Sequence, residues 1–354
     1  MQVDYLLVGQ GICGTFLSWY LQKAGLSFLV IDDYRPNSAS LTAAGIINPV
    51  TGRRIVKTWI IDEVMPFAKI AYDALGAELG VTTIELKNII DFFPTAQMRQ
   101  AFLQRYEKDT EFLVLPQNEN QWRDWFNYDL GFGEVHPCYL VNLPVLLPAY
   151  RAMLKSKGLL AEETFEANEL KIAEDHITYN NITAKAIIFC DGVNAANNPW
   201  FKNLPFAPNK GEMLLINAPG LPTGNIFKQG MILAPWQQDV FWVGSTYEWD
   251  FENDQPTAAF REKAKALLKS WLKLPFTIID HRAAVRPATL ERRPFVGFHP
   301  QYNSVGIFNG MGTKGCSLAP FFANQLVQHI IHRTPIHSEA DVKRFQRVLS
   351  RNTD

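Results

Sequence analysis

The stretch that most constrains this chain is its first 33 residues, MQVDYLLVGQGICGTFLSWYLQKAGLSFLVIDD. Tyr5, Leu6, Leu7 and Val8 form an apolar run with the character of a buried strand, and it ends on Gly9, Gly11 and Gly14, spaced G-x-G-x-x-G. Phe16, Leu17, Tyr20, Leu21 and Ala24 then recur at the three-and-four spacing of one helical face, and Gly25 stops the segment. A second apolar run, Phe28 to Ile31, ends at Asp32 and Asp33. Three glycines at this spacing arise by chance in about a tenth of chains this rich in glycine, so the order of strand, turn, helix, strand and acid decides the matter. Gly9 permits a tight turn, Gly11 lets the backbone approach a diphosphate, and Gly14 lets the helix lie close on the strand. The helix N-terminus offers unpaired N–H groups to phosphate. Asp32 can accept hydrogen bonds from both hydroxyls of a ribose, and with no Arg directly beside it favours NAD or FAD over NADP.

A chain of 354 residues can bury a large core and suggests about two domains. Its 34 basic and 35 acidic residues give no electrostatic case for nucleic acid or an anionic membrane. Cys13, Cys138, Cys190 and Cys316 make no C-x-x-C pair, so neither a metal site nor a disulfide framework is indicated. No run of apolar residues is long enough for a spanning helix. The first strand begins almost at Met1, which leaves no room for a cleavable signal ahead of the fold, and the expected location is cytoplasmic.

Further along, SASLTAAGIINP (Ser38 to Pro49) is small and polar, then small and apolar. Ser40, Thr42, Ala43, Ala44 and Gly45 would let a flat ligand or a diphosphate lie against the backbone. The alternative is a helical turn capped by Ser40 or Thr42. A helix is expected from about Trp59 to Leu79, strands at Thr82 to Lys87 and Ile89 to Phe93, and helices near Gln97 to Tyr106 and Pro144 to Lys157. The run Ala186 to Cys190 reads as a further buried strand ending in Asp191 and Gly192, a turn where a ligand can lie. Short alternating runs between Glu212 and Tyr247 suggest an antiparallel sheet of a second domain, followed by a helix from Thr257 to Leu272 and a strand from Thr277 to Arg286. Ser304 to Phe308 then enters a second glycine cluster, Asn309-Gly310-Met311-Gly312-Thr313-Lys314-Gly315, which opens the helix Ser317 to His329. Two anion-friendly turns in one chain imply one large cofactor or two ligands. Glu339 to Leu349 reads as a surface helix capped by Ser338.

With both glycine turns placed, the chain resembles the D-amino-acid oxidase-like family of FAD-dependent oxidoreductases, and within it the glycine oxidase branch. The resemblance runs from Met1 to about His329 and rests on VGQGICG with Asp32, SASLTAAGIINP, IIFCDG, GSTYE, and VRPATLERRPFVG leading to NGMGTKGCSLAP. It implies an α/β chain of two domains: a Rossmann-like FAD-binding domain (1–82, 136–200 and 288–354) and an interleaved antiparallel-sheet substrate domain (83–135 and 201–287). It implies that Gly9, Gly11, Gly14, Asp32 and Asp33 serve the diphosphate and ribose, and that Ser40, Thr42, Ala44 and Gly45 line the flavin side. Asp191 and Gly192 close the nucleotide turn. The resemblance also counts Gly310 among the cofactor-binding residues and implies that Gly312, Thr313, Lys314 and Gly315 face the pyrimidine edge of the ring, where a helix N-terminus and a lysine would support the negative charge of reduced flavin.

The same resemblance makes Arg286 the anchor of a substrate carboxylate; the alternative is a structural ion pair with an acid such as Glu291. Arg282 is the weaker candidate. Tyr247 either supplies a hydroxyl to the site or is a core strand residue. Some members attach FAD through a cysteine in the segment that here reads VRPAT, and with no cysteine there noncovalent FAD is expected. Glycine oxidases carry a second Arg in the later glycine turn, where this chain has Thr313 and Lys314, and a Tyr where it has Ile232. The expected activity is oxidation of the C–N bond of a small amino acid or N-alkyl amino acid to an imine, with oxygen or another carrier as acceptor. Alternatives are modification of a wobble uridine in tRNA, disfavoured by the charge balance, and a flavin-binding subunit without turnover.

Overall fold

The computed structural model describes residues 1–52 and 54–350. In chain order the elements that position the site are β1 (Gln2–Val8), α1 (Ile12–Lys23), β2 (Phe28–Ile31), the one-turn α2 (Ala39–Thr42), α3 (Ile61–Leu79), β3 (Ile89–Phe92) and α4 (Leu143–Ser156). They continue with β4 (Ile182–Phe189), β5 (Asn209–Asn217), β6 (Ile226–Gln229), β7 (Val240–Gly244), α5 (Ala258–Trp271), β8 (Thr277–Arg286), β9 (Val305–Asn309) and α6 (Gly315–His332).

The first sheet is centred on β1, which pairs in parallel with β2 on one side and with β4 on the other; β9 extends it beyond β4, also in parallel. Leu6 and Leu7 of β1 are fully buried, as are Ile187 and Ile188 of β4. Their unbroken apolar runs follow from cover on both faces, which parallel strands require. On one face α1 packs against α6, and Phe16 meets Tyr72 of α3 edge to face at 4.9 Å. On the other, Phe189, Phe201 and Ile307 share a cluster with Val342 and Leu349.

The second large sheet has eight strands, with β8 at the edge, then β5, β7, residues 231–237, β6, β3, 132–135 and 113–114. An aromatic cluster including Phe92, Phe126, Phe227 and Trp271 covers the flank under α5. The sheet is not wholly antiparallel as expected, because β6 and β3 pair in parallel. No hairpin joins those two strands, and only a hairpin would dictate opposite directions.

The strands expected at 82–87 and 89–93 both form, in different sheets: Ile84–Leu86 pairs with Tyr139–Val141, which also pairs with Ile46–Ile47, whereas β3 joins the large sheet. Two local expectations are corrected. In place of a surface helix over 339–349 there is a 3-10 turn, Val342–Phe345, and one α turn, Gln346–Leu349, with Val342 and Leu349 buried. Its cap is Asp341, whose carboxylate accepts from the Lys343 N–H at 2.9 Å, not Ser338. In α2 the capping position is Ser38, so neither Ser40 nor Thr42 caps that turn. Among the described residues no helix is long and apolar enough to cross a membrane.

Candidate cofactor and substrate site

One cleft of about 730 Å³ runs from the glycine turn after β1 to the end of β8. Of the candidate site residues singled out from the sequence, all but Gly14, Gly310 and Arg282 line it. Gly14 works from behind: a Cβ there would stand 1.9 Å from the Gly9 carbonyl oxygen, so its absence is what lets α1 seat on the turn. Gly310 likewise shapes the second turn without facing the cleft. Its φ is +78°, and a Cβ would meet Thr289 at 2.8 Å.

At the β1 end, Asp32 accepts from the Gln10 N–H at 2.9 Å and from the Tyr34 N–H at 3.1 Å, which fixes the turn. It also takes a 2.5 Å bond from Arg151 Nη1. An arginine therefore does lie beside Asp32, supplied by α4 from 119 residues away and invisible to local reading. Asp33 pairs with Arg35 nearer the surface. Ser40 Oγ accepts from the Ile12 N–H at 3.1 Å, so it sits on the N-terminus of α1 and on the cleft wall at once. Among the described residues the N–H groups of Gly11 and Cys13 have no protein acceptor, and they remain for an anion. Ala44 packs against Met213 and Trp242, whose indole N–H donates to the Thr42 carbonyl at 2.9 Å. Gly45, at φ +82°, brings the backbone so close to Val141 that a Cβ would be 2.1 Å from its oxygen.

The turn after β4 meets the second glycine turn through one side chain. Asn309 Nδ2 donates to Asp191 Oδ1 at 3.0 Å and to the Gly192 carbonyl at 2.9 Å, and Asn309 Oδ1 accepts from the Gly310 N–H at 2.7 Å. Burial pushes the Asp191 carboxyl up to about 7. Thr313 is exposed at the rim, and Lys314 Nζ donates to Asn48 Oδ1 at 2.8 Å. Burial lowers the Lys314 ammonium to about 8.

At the far end, Arg286 has no acid partner among the described residues; Glu291 pairs with Arg344 instead. The guanidinium is held by neutral oxygens: Asn209 Oδ1 at 2.6 Å, the Thr246 carbonyl at 3.1 Å and Ser245 Oγ at 2.8 Å. It also lies 4.7 Å from the Tyr247 ring centre. Tyr247 is 60% exposed, so it is not a core strand residue. Beneath the guanidinium is Gly211 of β5, where a Cβ would fall 1.8 Å from Nη2. Arg282 is occupied by Asp280.

Arg151, Asn48, Asn209, Gly211 and Ser245 were not foreseen: Asn48 and Ser245 lie within SASLTAAGIINP and GSTYE but were not singled out there, and the other three belong to no motif. Nor was it foreseen that Cys13, Cys190 and Cys316 would all line the cleft. Burial raises each thiol, Cys13 and Cys316 to about 12, so none is a ready nucleophile. The geometry fits an extended dinucleotide: a backbone cradle without side chains and with free amides at one end, and a lysine at a second glycine turn on the facing wall.

That is the arrangement of a dinucleotide-binding protein built on two large sheets. The family model DAO, described as FAD dependent oxidoreductase, matches residues 4–329, and the chain belongs to this family. Its cofactor is FAD. The chain is 22% identical to a glycine oxidase of Pseudomonas aeruginosa over 95% of its own length and 97% of the relative's, and 23% identical to a glycine oxidase of Bacillus licheniformis over 95% of each. Among solved structures it is similar to glycine oxidase from Geobacillus kaustophilus, with TM-score 0.80, 18% identity and full coverage of both chains. It is also similar to iminodiacetate oxidase from Chelativorans sp. BNC1, with TM-score 0.76 and 19% identity over 95% of this chain and 98% of that one.

Proposed function

We propose that this oxidoreductase acts on a small amino acid or N-alkyl amino acid, oxidising its C–N bond to an imine that water then hydrolyses. The observation that carries this reading is Arg286: a half-buried guanidinium, unpaired with any described acid, kept flat by neutral acceptors at the end of the cofactor cleft. A carboxylate is the ligand that satisfies such a fork with two parallel hydrogen bonds. The glycine oxidase and iminodiacetate oxidase relatives support the substrate class by their names.

In this reading Gly9, Gly11 and the α1 N-terminus hold the diphosphate, Asp32 meets the ribose, and Ser40, Thr42, Ala44 and Gly45 line the ring side. Gly312 to Gly315, with Lys314, support its pyrimidine edge. Bound FAD supplies a two-electron, hydride-accepting group that oxygen or another carrier regenerates. The chain's own part is orientation: Arg286 fixes the carboxylate, Tyr247 covers the guanidinium, and Ile232, Met213 and Trp242 exclude water. Among the described residues no histidine lines the cleft, which suits loss of hydride from a neutral amine without a strong protein base. We also read the domain division as 1–82, 136–200 and 288–354 against 83–135 and 201–287.

The test is anaerobic flavin bleaching by a panel of amino acids and their amides. Wild type should prefer acids strongly, and Arg286→Ala should lose roughly ten- to hundredfold in affinity for the acid with flavin content unchanged. Arg286→Lys should recover only part, since an ammonium lacks the planar fork. Equal treatment of acid and amide by both proteins would remove the amino-acid reading and favour a larger amine or a modified nucleoside.

A further inference from the structure

Asp191 is an unexpected residue for the place it occupies. It follows β4 directly and lines the cleft, and its Cα is 3.2 Å from where a Cβ on Gly9 would stand, so its backbone abuts the turn whose free amides await a diphosphate. Its neighbours are neutral on every side. Asn309 from β9 and Asn198 donate to it, Cys190 precedes it, and Cys13 faces it from α1, both thiols remaining protonated. No Lys, Arg or His pairs with it among the described residues; Arg35, which also lines the cleft, is taken by Asp33 and Asn194. A carboxylate here would stand uncompensated beside the dianionic diphosphate, and the cheapest relief is a proton.

We infer that Asp191 makes FAD capture proton-linked: the cofactor binds the form of the protein in which this carboxyl is protonated, and binding takes up that proton. The free protein's carboxyl already titrates near neutrality, and the arriving diphosphate raises it further. Affinity is therefore at its full value below that point, declines as pH rises through the window between the free and bound pKa values, and levels off above it. FAD does not interfere, because its phosphates stay ionised and its ring imide stays protonated across this range. Among the described residues Lys314 is the one other cleft group whose titration is moved near this window, so the experiment has to separate the two.

The test is the dissociation constant of FAD for the full-length apoprotein, from quenching of flavin fluorescence, in wild type, Asp191→Asn and Lys314→Met. Asparagine keeps the oxygen that accepts from Asn309. At about pH 5.5 wild type and Asp191→Asn should bind alike, and at about pH 8.5 the variant should bind tenfold or more tighter, one decade for each unit by which binding moves the carboxyl. Lys314→Met should keep the wild-type decline between about pH 7 and 8. The inference is overturned if the ratio of wild type to Asp191→Asn is the same at both pH values, or if Asp191→Asn binds more weakly at the higher one. Should Asp191→Asn fail to fold, proton uptake on mixing FAD with Lys314→Met apoprotein in weakly buffered solution with an indicator dye decides. Uptake is expected, and its absence overturns the inference.

Discussion

Gly211→Ala tests the site at the point where its geometry is tightest. The new Cβ would be built 1.8 Å from Arg286 Nη2, 2.3 Å from Cζ and 2.6 Å from Nη1. Ordinary carbon–nitrogen contact demands that the guanidinium retreat by roughly 1.5 Å. The bonds to Asn209 at 2.6 Å and Ser245 at 2.8 Å cannot survive such a shift. Gly211 sits in a regular strand without a positive φ, so alanine itself strains no backbone there. Arg286 keeps its charge but loses its aim. The loss of a paired, charge-assisted contact costs about 1.5–3 kcal/mol, so the apparent dissociation constant for an amino-acid substrate should rise roughly ten- to hundredfold. The assay is anaerobic flavin reduction titrated with the best substrate and with its amide, at matched flavin content. The acid should weaken and the amide should not. An unchanged acid affinity would mean that Arg286 as placed here does not hold the carboxylate, and an equal loss for acid and amide would mean that the alanine merely distorts β5.

Four further outcomes are expected. Acid precipitation should release the flavin into the supernatant, because the three thiols that line the cleft are held protonated by burial; flavin left in the pellet would refute noncovalent binding. Gly14→Ala should yield apoprotein, since its Cβ would overlap the Gly9 carbonyl oxygen, and full flavin occupancy would contradict the packing role. Lys314→Met should weaken sulfite binding to the oxidised flavoprotein, and equal affinity would remove Lys314 from the flavin edge. The same variant should raise the melting temperature of the apoprotein at pH 7: the ammonium's folded pKa lies below its unfolded value, so its burial penalty is full below about 8 and fades as pH rises toward 10.5. No gain at pH 7 would mean that the cation is well solvated.

The parts of this cleft that are legible in the sequence are those where one short segment carries both the structural need and the residue that meets it. Gly9, Gly11, Gly14 and Asp32 fall in a single strand–helix–strand unit, and Gly310 to Gly315 announce themselves by opening a helix. Arg151 at Asp32 is different: it is an ordinary residue of an amphipathic helix until folding delivers it. Gly211 is hidden for the opposite reason, since a glycine in an alternating strand carries no sign that a guanidinium lies across it. The parallel pairing of β6 with β3 and the buried turn after Asp341 are likewise decided by what arrives from elsewhere in the chain, where neither periodicity nor capping rules reach.

The Asn309 bridge bears on how the protein comes to hold its flavin at all. β1 finds its central partner about 180 residues later, and β4 finds its own beyond residue 300. The nucleotide turn at Gly9 is shaped by Cys190 and Asp191, and Asp191 is in turn tied to Asn309. During synthesis the N-terminal half thus emerges with its glycine turn written but not yet built. Capture of FAD must wait for nearly the whole chain, and nascent chains stalled before β9 should bind none, even though every residue of the G-x-G-x-x-G turn has long since left the ribosome.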